Sequence, residues 1–231
     1  MRNLLLAIPI LASLLTACKK EEAEPVDLGY DYFPRKVGAW IEYQVDSIGR
    51  DDGFNVHDTV SYRMKEKVVE AYTDPAGRPA WRMHRFVKVA DNWVIRDVWT
   101  STKDAFYAEV SEENMRRLKL SFPVREGRAW NHNVYNNSGE EELTYSEIGS
   151  AWAANGSSYG NTVLVESTLE PNIIENKTRK ERYAYGVGLV SRYVQDTESQ
   201  PQYNPNPPYQ FIGYLVRGTY FTMTAVDHGQ D

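Results

Sequence analysis

The amino-acid sequence predicts a mostly β protein, with antiparallel strands forming an open barrel or half-barrel beside one short helix. Three observations carry that expectation. Aromatic residues make up 13% of the chain, with sixteen tyrosines and six tryptophans, and such side chains favour the pleated, half-buried surface of a strand. Apolar and polar residues alternate with a period of two over successive segments. Clusters of Asp, Asn, Gly and Pro separate those segments at hairpin spacing.

Each element follows from its own residues. Trp40–Asp46 places Ile41, Tyr43 and Val45 on one face and Glu42, Gln44 and Asp46 on the other, and Thr59–Lys65 does the same with Val60, Tyr62 and Met64 inward. Asp51-Asp52-Gly53 turns between them. Asp74-Pro75-Ala76-Gly77 separates Val68–Tyr72 from Trp81–Val89, and Ala90-Asp91-Asn92 leads into Trp93–Thr100, where Trp93, Ile95 and Trp99 are expected on one face. Ser111–Arg117 is the helix candidate, with serine as cap, acids in its first turn and arginines in its last. Further strands are expected at Leu143–Ile148, Thr162–Thr168, Arg179–Tyr185, Leu189–Val194 and Phe211–Thr222. Gln200–Pro208 contains four prolines, which have no N–H for a ladder, and reads as an exposed loop.

One internal echo organises the chain. Phe33-Pro34-Arg35-Lys36-Val37-Gly38-Ala39-Trp40 recurs, with one residue added, as Phe122-Pro123-Val124-Arg125-Glu126-Gly127-Arg128-Ala129-Trp130. In each copy proline sets an extended entry, glycine permits a tight turn and tryptophan starts a strand. The mature chain is therefore expected as a single β-rich domain over 30–231 built from two pseudo-repeated halves, about 30–120 and 121–231.

The first eighteen residues supply an address. A basic start at Arg2, an apolar run from Leu4 to Leu15 broken by Pro9, and then Leu15-Thr16-Ala17-Cys18 describe an export signal too short to span a bilayer. Cys18 is the only cysteine, so no internal disulfide forms. Residues 1–17 are expected as a signal peptide, and 18–29, opening with Lys19-Lys20-Glu21-Glu22, as a charged flexible tether.

Leu15-Thr16-Ala17-Cys18 resembles the lipobox of bacterial lipoproteins. With the Phe-Pro…Gly…Trp turns and the Gly186-Val187-Gly188-Leu189-Val190 strand, the chain is similar to uncharacterised outer-membrane lipoproteins of Bacteroidota. That resemblance implies a diacylglyceryl thioether on Cys18, a fatty acyl (palmitate-type) chain on its amine, and the outer membrane as destination, since Lys19 stands where an inner-membrane retention signal has aspartate. Three acyl chains hold a protein to a bilayer almost irreversibly. Lysine followed by acids after the cysteine also resembles the surface-export tag of that group. Asp46-Ser47-Ile48 and Asp58-Thr59-Val60 resemble its O-glycosylation acceptors, at Ser47 and Thr59.

Composition narrows the chemistry. A net charge of −6 argues against nucleic acid, which requires a basic stripe. Gly156-Ser157-Ser158-Tyr159-Gly160 matches a nucleophile elbow, with Asp196 and His228 following in order, but a strand-like segment stands where the elbow requires a helix. His57, His84, His132 and His228 lack zinc spacing, and Glu140-Glu141-Glu142 and Asp51-Asp52 read as solvated turns rather than calcium ligands. Trp81, Trp93, Trp99 and Trp152 are candidates for a sugar-stacking platform, although large aromatics on alternating strands are more often core.

No catalytic residue, metal ligand or cofactor site is assigned from the sequence, and Cys18 is the one modified position. The expectation is a lipid-anchored envelope lipoprotein with a non-catalytic binding or structural role. Its partner is an envelope protein, a glycan or an apolar ligand. The alternative is a carrier holding a lipid or other apolar ligand in a half-barrel. An enzyme acting on polysaccharide is the third reading.

Overall fold

In a computed structural model, which describes residues 25–169 and 172–231, the chain forms one antiparallel sheet of twelve strands. The first half supplies β1 (Ala39–Asp51), β2 (Val56–Thr73), β3 (Pro79–Val89), β4 (Asn92–Lys103), β5 (Tyr107–Glu112) and β6 (Met115–Ser121). The second supplies β7 (Ala129–Asn131), β8 (Glu142–Ala154), β9 (Ser157–Ser167), β10 (Glu175–Ala184), β11 (Gly188–Asn204) and β12 (Gln210–Gln230). Neighbours in sequence are neighbours in the sheet, and β1 pairs with β12 from Ala39↔Gln230 to Asp51↔Arg217. The sheet thus curls into a barrel that is open along one seam, between β6 and β7.

The seam is bridged mainly by side chains. Leu118 N–H donates to the His132 carbonyl at 3.0 Å, and the Leu118 carbonyl receives Trp130 Nε1–H at 3.2 Å. Tyr145 Oη accepts from Ser121 N–H at 2.9 Å and donates to the Ser121 carbonyl at 2.8 Å. These bonds satisfy backbone groups that a ladder would otherwise pair.

Residues 1–17, Cys18 and the tether to residue 24 lie outside the described residues. Within the rest of the span expected as tether, the chain is already docked: Val124 N–H donates to the Leu28 carbonyl at 3.0 Å. The two tryptophan-led turns each contain a left-handed glycine, Gly38 at φ 87° and Gly127 at φ 71°. A Cβ on Gly38 would meet the Asp231 carbonyl oxygen at 2.7 Å, so that position requires glycine for space as well as for conformation.

Several expectations are corrected. Ser111–Arg117 is not a helix but the β5–β6 hairpin, turned by Glu113 and Asn114 at φ 50° and 64°. Two consecutive positive φ values make the tight turn that matches strand twist, and pairing with β4 overrides the helical cap signal. Gln200–Pro208 is not a loop throughout, because β11 runs to Asn204. Pro201 pairs with Gly213 of β12, and on the other side of β11 the last backbone bond is Ser199 N–H to the Ile174 carbonyl at 2.6 Å, so among the described residues no neighbour asks Pro201 for an N–H.

Trp93, Ile95 and Trp99 also do not share a face. A bulge at Arg96 shifts the β3–β4 register, turning Trp99 into the core at 6% exposure while Ile95 stays outside at 52%. On β1 and β2 the alternation holds in the middle of the strands, where Tyr43, Val45 and Met64 are fully buried and Glu42 and Arg63 pair at 2.7 Å on the opposite face, but Val60, expected inward, is 51% exposed near the start of β2, beyond the packed interior. A charged outer face there is the reverse of a membrane-spanning barrel, which turns its apolar side to lipid. Among the described residues no helix is long and apolar enough to cross a membrane.

Candidate functional site

The barrel interior is filled, partly with charge. Lys119 Nζ lies 2.6 Å from Glu112 and 3.1 Å from Glu181, and Arg192 reaches the same two carboxylates at 3.1 and 2.9 Å. Tyr183 Oη–H donates to Glu181 at 2.5 Å. Burial raises the Glu181 carboxyl, but the charges of Arg192, Lys119 and Arg179 outweigh it and hold the group well below the usual carboxylate range. Glu112 behaves likewise, with Arg192 and Lys119 overcoming its burial. His132, buried beside the seam, is pushed down to about 3, first by burial and then by Lys119 and Arg179.

Around this cluster pack Phe33, Tyr43, Trp99, Tyr183 and Met83, leaving a central cavity of about 40 Å³. That is room for a water molecule, and the buried Trp99 Nε1–H, which has no protein acceptor among the described residues, would be a partner for one.

The two ends of the barrel differ. At the end where the chain enters, the Asp31 backbone carbonyl accepts from Gly186 N–H at 2.8 Å, and a cleft of about 290 Å³ opens between the Pro34–Trp40 turn, β2 and the end of β12. Arg35 and Glu66 line both this cleft and the central cavity. Depressions of about 400 Å³ beside Gly49–Asp51 and 490 Å³ along the seam lie elsewhere on the surface.

At the far end, β11 and β12 continue past their neighbours as a two-stranded hairpin, paired from Ser199↔Leu215 to Asn204↔Gln210. From Ser199 to Val216 it contains no Asp, Glu, Lys or Arg. Tyr203, Tyr209, Phe211, Ile212 and Tyr214 are each between 45% and 67% exposed.

The motifs weighed in the sequence do not converge. Gly156 closes the β8–β9 turn and Ser157–Gly160 already lie in strand β9, not ahead of a helix, and Asp196 pairs with Thr219, roughly 30 Å along β12 from His228 at about 3.3 Å per residue. Among the described residues no group of three His, Cys, Asp or Glu is placed to hold a metal. Glu141 is paired with Arg179 at 2.6 Å and Asp52 with Arg50 at 2.8 Å. Trp99 is buried, Trp81 and Trp152 pack against core clusters, and Trp93 stacks on Lys65, so the four tryptophans form no common platform. Thr59 is exposed on β2 and Ser47 half-buried on β1. Both the cleft and the charged interior escaped the sequence reading; a lysine flanked by leucines in Leu118-Lys119-Leu120 was the available signal.

Compared with protein-family models, curated proteins and solved structures, the chain finds no match in any of the three.

Proposed function

We propose that the protein is a lipid-anchored lipoprotein of the outer membrane, without a catalytic step of its own, that docks another envelope protein on the hairpin of β11 and β12. The observation that carries this reading is the hairpin itself. An isolated two-stranded ribbon is marginal in water, and this one leaves aromatic side chains exposed and, among the described residues, the edge of β12 from Gln210 to Leu215 without a neighbouring strand. Strand addition or an aromatic-lined contact by a protein partner satisfies both. It also projects from the opposite end to Asp31 and Gly186, where the tether enters, so an anchor at Cys18 leaves it accessible.

The filled interior favours docking over carriage, since about 40 Å³ does not house an acyl chain. A polysaccharide-acting pair of carboxylates needs one raised acid, whereas Glu112 and Glu181 are both held ionised.

Two outcomes test the reading. Cys18→Ser should move the protein from the membrane fraction to the soluble envelope fraction; continued membrane retention removes the anchor. A photo-crosslinking residue at Tyr209 should give one discrete protein adduct in cells, lost when Phe211 and Tyr214 are both changed to serine. An adduct indifferent to that double change, or none, rejects the hairpin as the docking element.

A further inference from the structure

The cleft at the opposite end has its own chemistry, centred on Arg35. Its guanidinium lies 3.6 Å over the Phe33 ring, its Nε donates to Ser101 Oγ at 3.0 Å, and its Nη1 donates to the Pro34 carbonyl at 3.0 Å. Those neutral partners fix its position without cancelling its charge. Among the described residues no carboxylate lies within 4.0 Å of it, and its Nη2 has no hydrogen-bond partner. Glu66, the acid that also lines the cleft, is paired with Arg85 at 3.1 Å, an arginine it shares with Asp97 at 3.1 Å, and it reaches Arg35 only through its field.

A second cation stands behind the first. Lys103 donates to the carbonyls of Phe33 at 3.0 Å and Tyr30 at 3.3 Å and, like Arg35, has no carboxylate within salt-bridge distance among the described residues. Burial, followed by the charge of Arg35, lowers the affinity of Lys103 for its proton, and burial does the same to Arg35. Glu66 acts on Arg35 and Asp31 on Lys103 only across a longer distance, so among the described residues neither cation has a directly paired carboxylate, and Arg35 is free to take one from a ligand.

The walls define the rest of the ligand. Ile41, Val68, Met83 and Val187 give the cleft an apolar side, and Lys36 stands at its rim. At about 290 Å³ it is at the small end of small-molecule sites.

We propose that this cleft binds a small organic anion, a carboxylate with a compact apolar body, with the carboxylate on Arg35 and the body against Ile41, Val68, Met83 and Val187. Guanidinium and carboxylate match as a fork, and Nη2 offers the open donors. The inference is independent of the docking hairpin, which lies at the other end of β11.

The test is calorimetric titration of the purified full-length chain with phenylacetate and isovalerate, each against its neutral amide. The expected result is binding of at least one carboxylate at least tenfold tighter than its amide, a difference that Arg35→Gln erases. Val187→Trp, which fills the cleft and leaves Arg35 in place, should also abolish binding while far-UV circular dichroism stays unchanged. Absence of binding by both carboxylates, equal binding of acid and amide, or unaltered binding in folded Val187→Trp overturns the proposal.

Discussion

Glu181→Gln is expected to destabilise the folded chain by about 3–5 kcal/mol, the cost of leaving a buried charge without its partner. The glutamine keeps the volume and removes the charge that Lys119 at 3.1 Å and Arg192 at 2.9 Å share. Glu112 alone would then face both cations. Because a buried pair is no more stabilising than a well-packed apolar one, Lys119→Met combined with Glu181→Leu should cost less than the sum of the two single changes. Chemical denaturation of the four proteins measures it, and strictly additive losses would show that the cluster is not coupled.

The sign of the pH dependence follows from the same contacts. Glu181 has a lower pKa folded than its ordinary 4.5, so the unfolded chain binds the proton first on acidification. Its contribution is therefore fully present above about pH 4.5 and is lost as the pH falls below it. Glu181→Gln should flatten the acid limb of the stability curve.

The second large effect separates the two repeated turns. Trp130→Ala should cost about 3–5 kcal/mol, and at roughly 2–4 °C per kcal/mol lower the melting temperature by about 10 °C. Trp130 is 6% exposed, packs on Tyr145 with ring centroids 4.6 Å apart, and donates across the seam to Leu118. Trp40, its counterpart in the first turn, is only half-buried: it lines the cleft, stacks on Lys65 at 4.6 Å and donates to Asp231. Trp40→Ala should cost about 1 kcal/mol, in proportion to the smaller area it removes from water. Equal melting temperatures for the two variants would contradict this division between core and rim.

Much of the fold was legible because a period of two has one physical cause. Tyr43, Val45 and Met64 alternate with polar neighbours, so the pleat turns them together onto the inward face, where they are fully buried. The misreadings cluster where local rules compete. Ser111-Glu112-Glu113-Asn114 satisfies a helix cap, yet Glu113 and Asn114 turn a hairpin because β4 offers a ladder to pair with. Pro201 fits a loop and also fits a strand that has a partner on only one side. The candidate sites were less legible, since the cleft assembles Arg35, Glu66, Val187 and His228 from four separate parts of the chain.

An antiparallel β chain, its main hairpins and the two tryptophan-led turns were legible residue by residue, because alternation, turn residues and glycine placement act over a few neighbouring residues. That the first and last strands meet, leaving the seam between β6 and β7, follows only from the folded arrangement, because it joins residues at opposite ends of the chain. The same arrangement decided that Lys119 points inward. On the β5–β6 ladder Ala108 faces Leu120 and Glu109 faces Leu118, so Lys119 is the extra residue of a bulge, which carries its ammonium to Glu112 and Glu181. A bulge exists only between two strands, and alternation along either one alone contains no record of it.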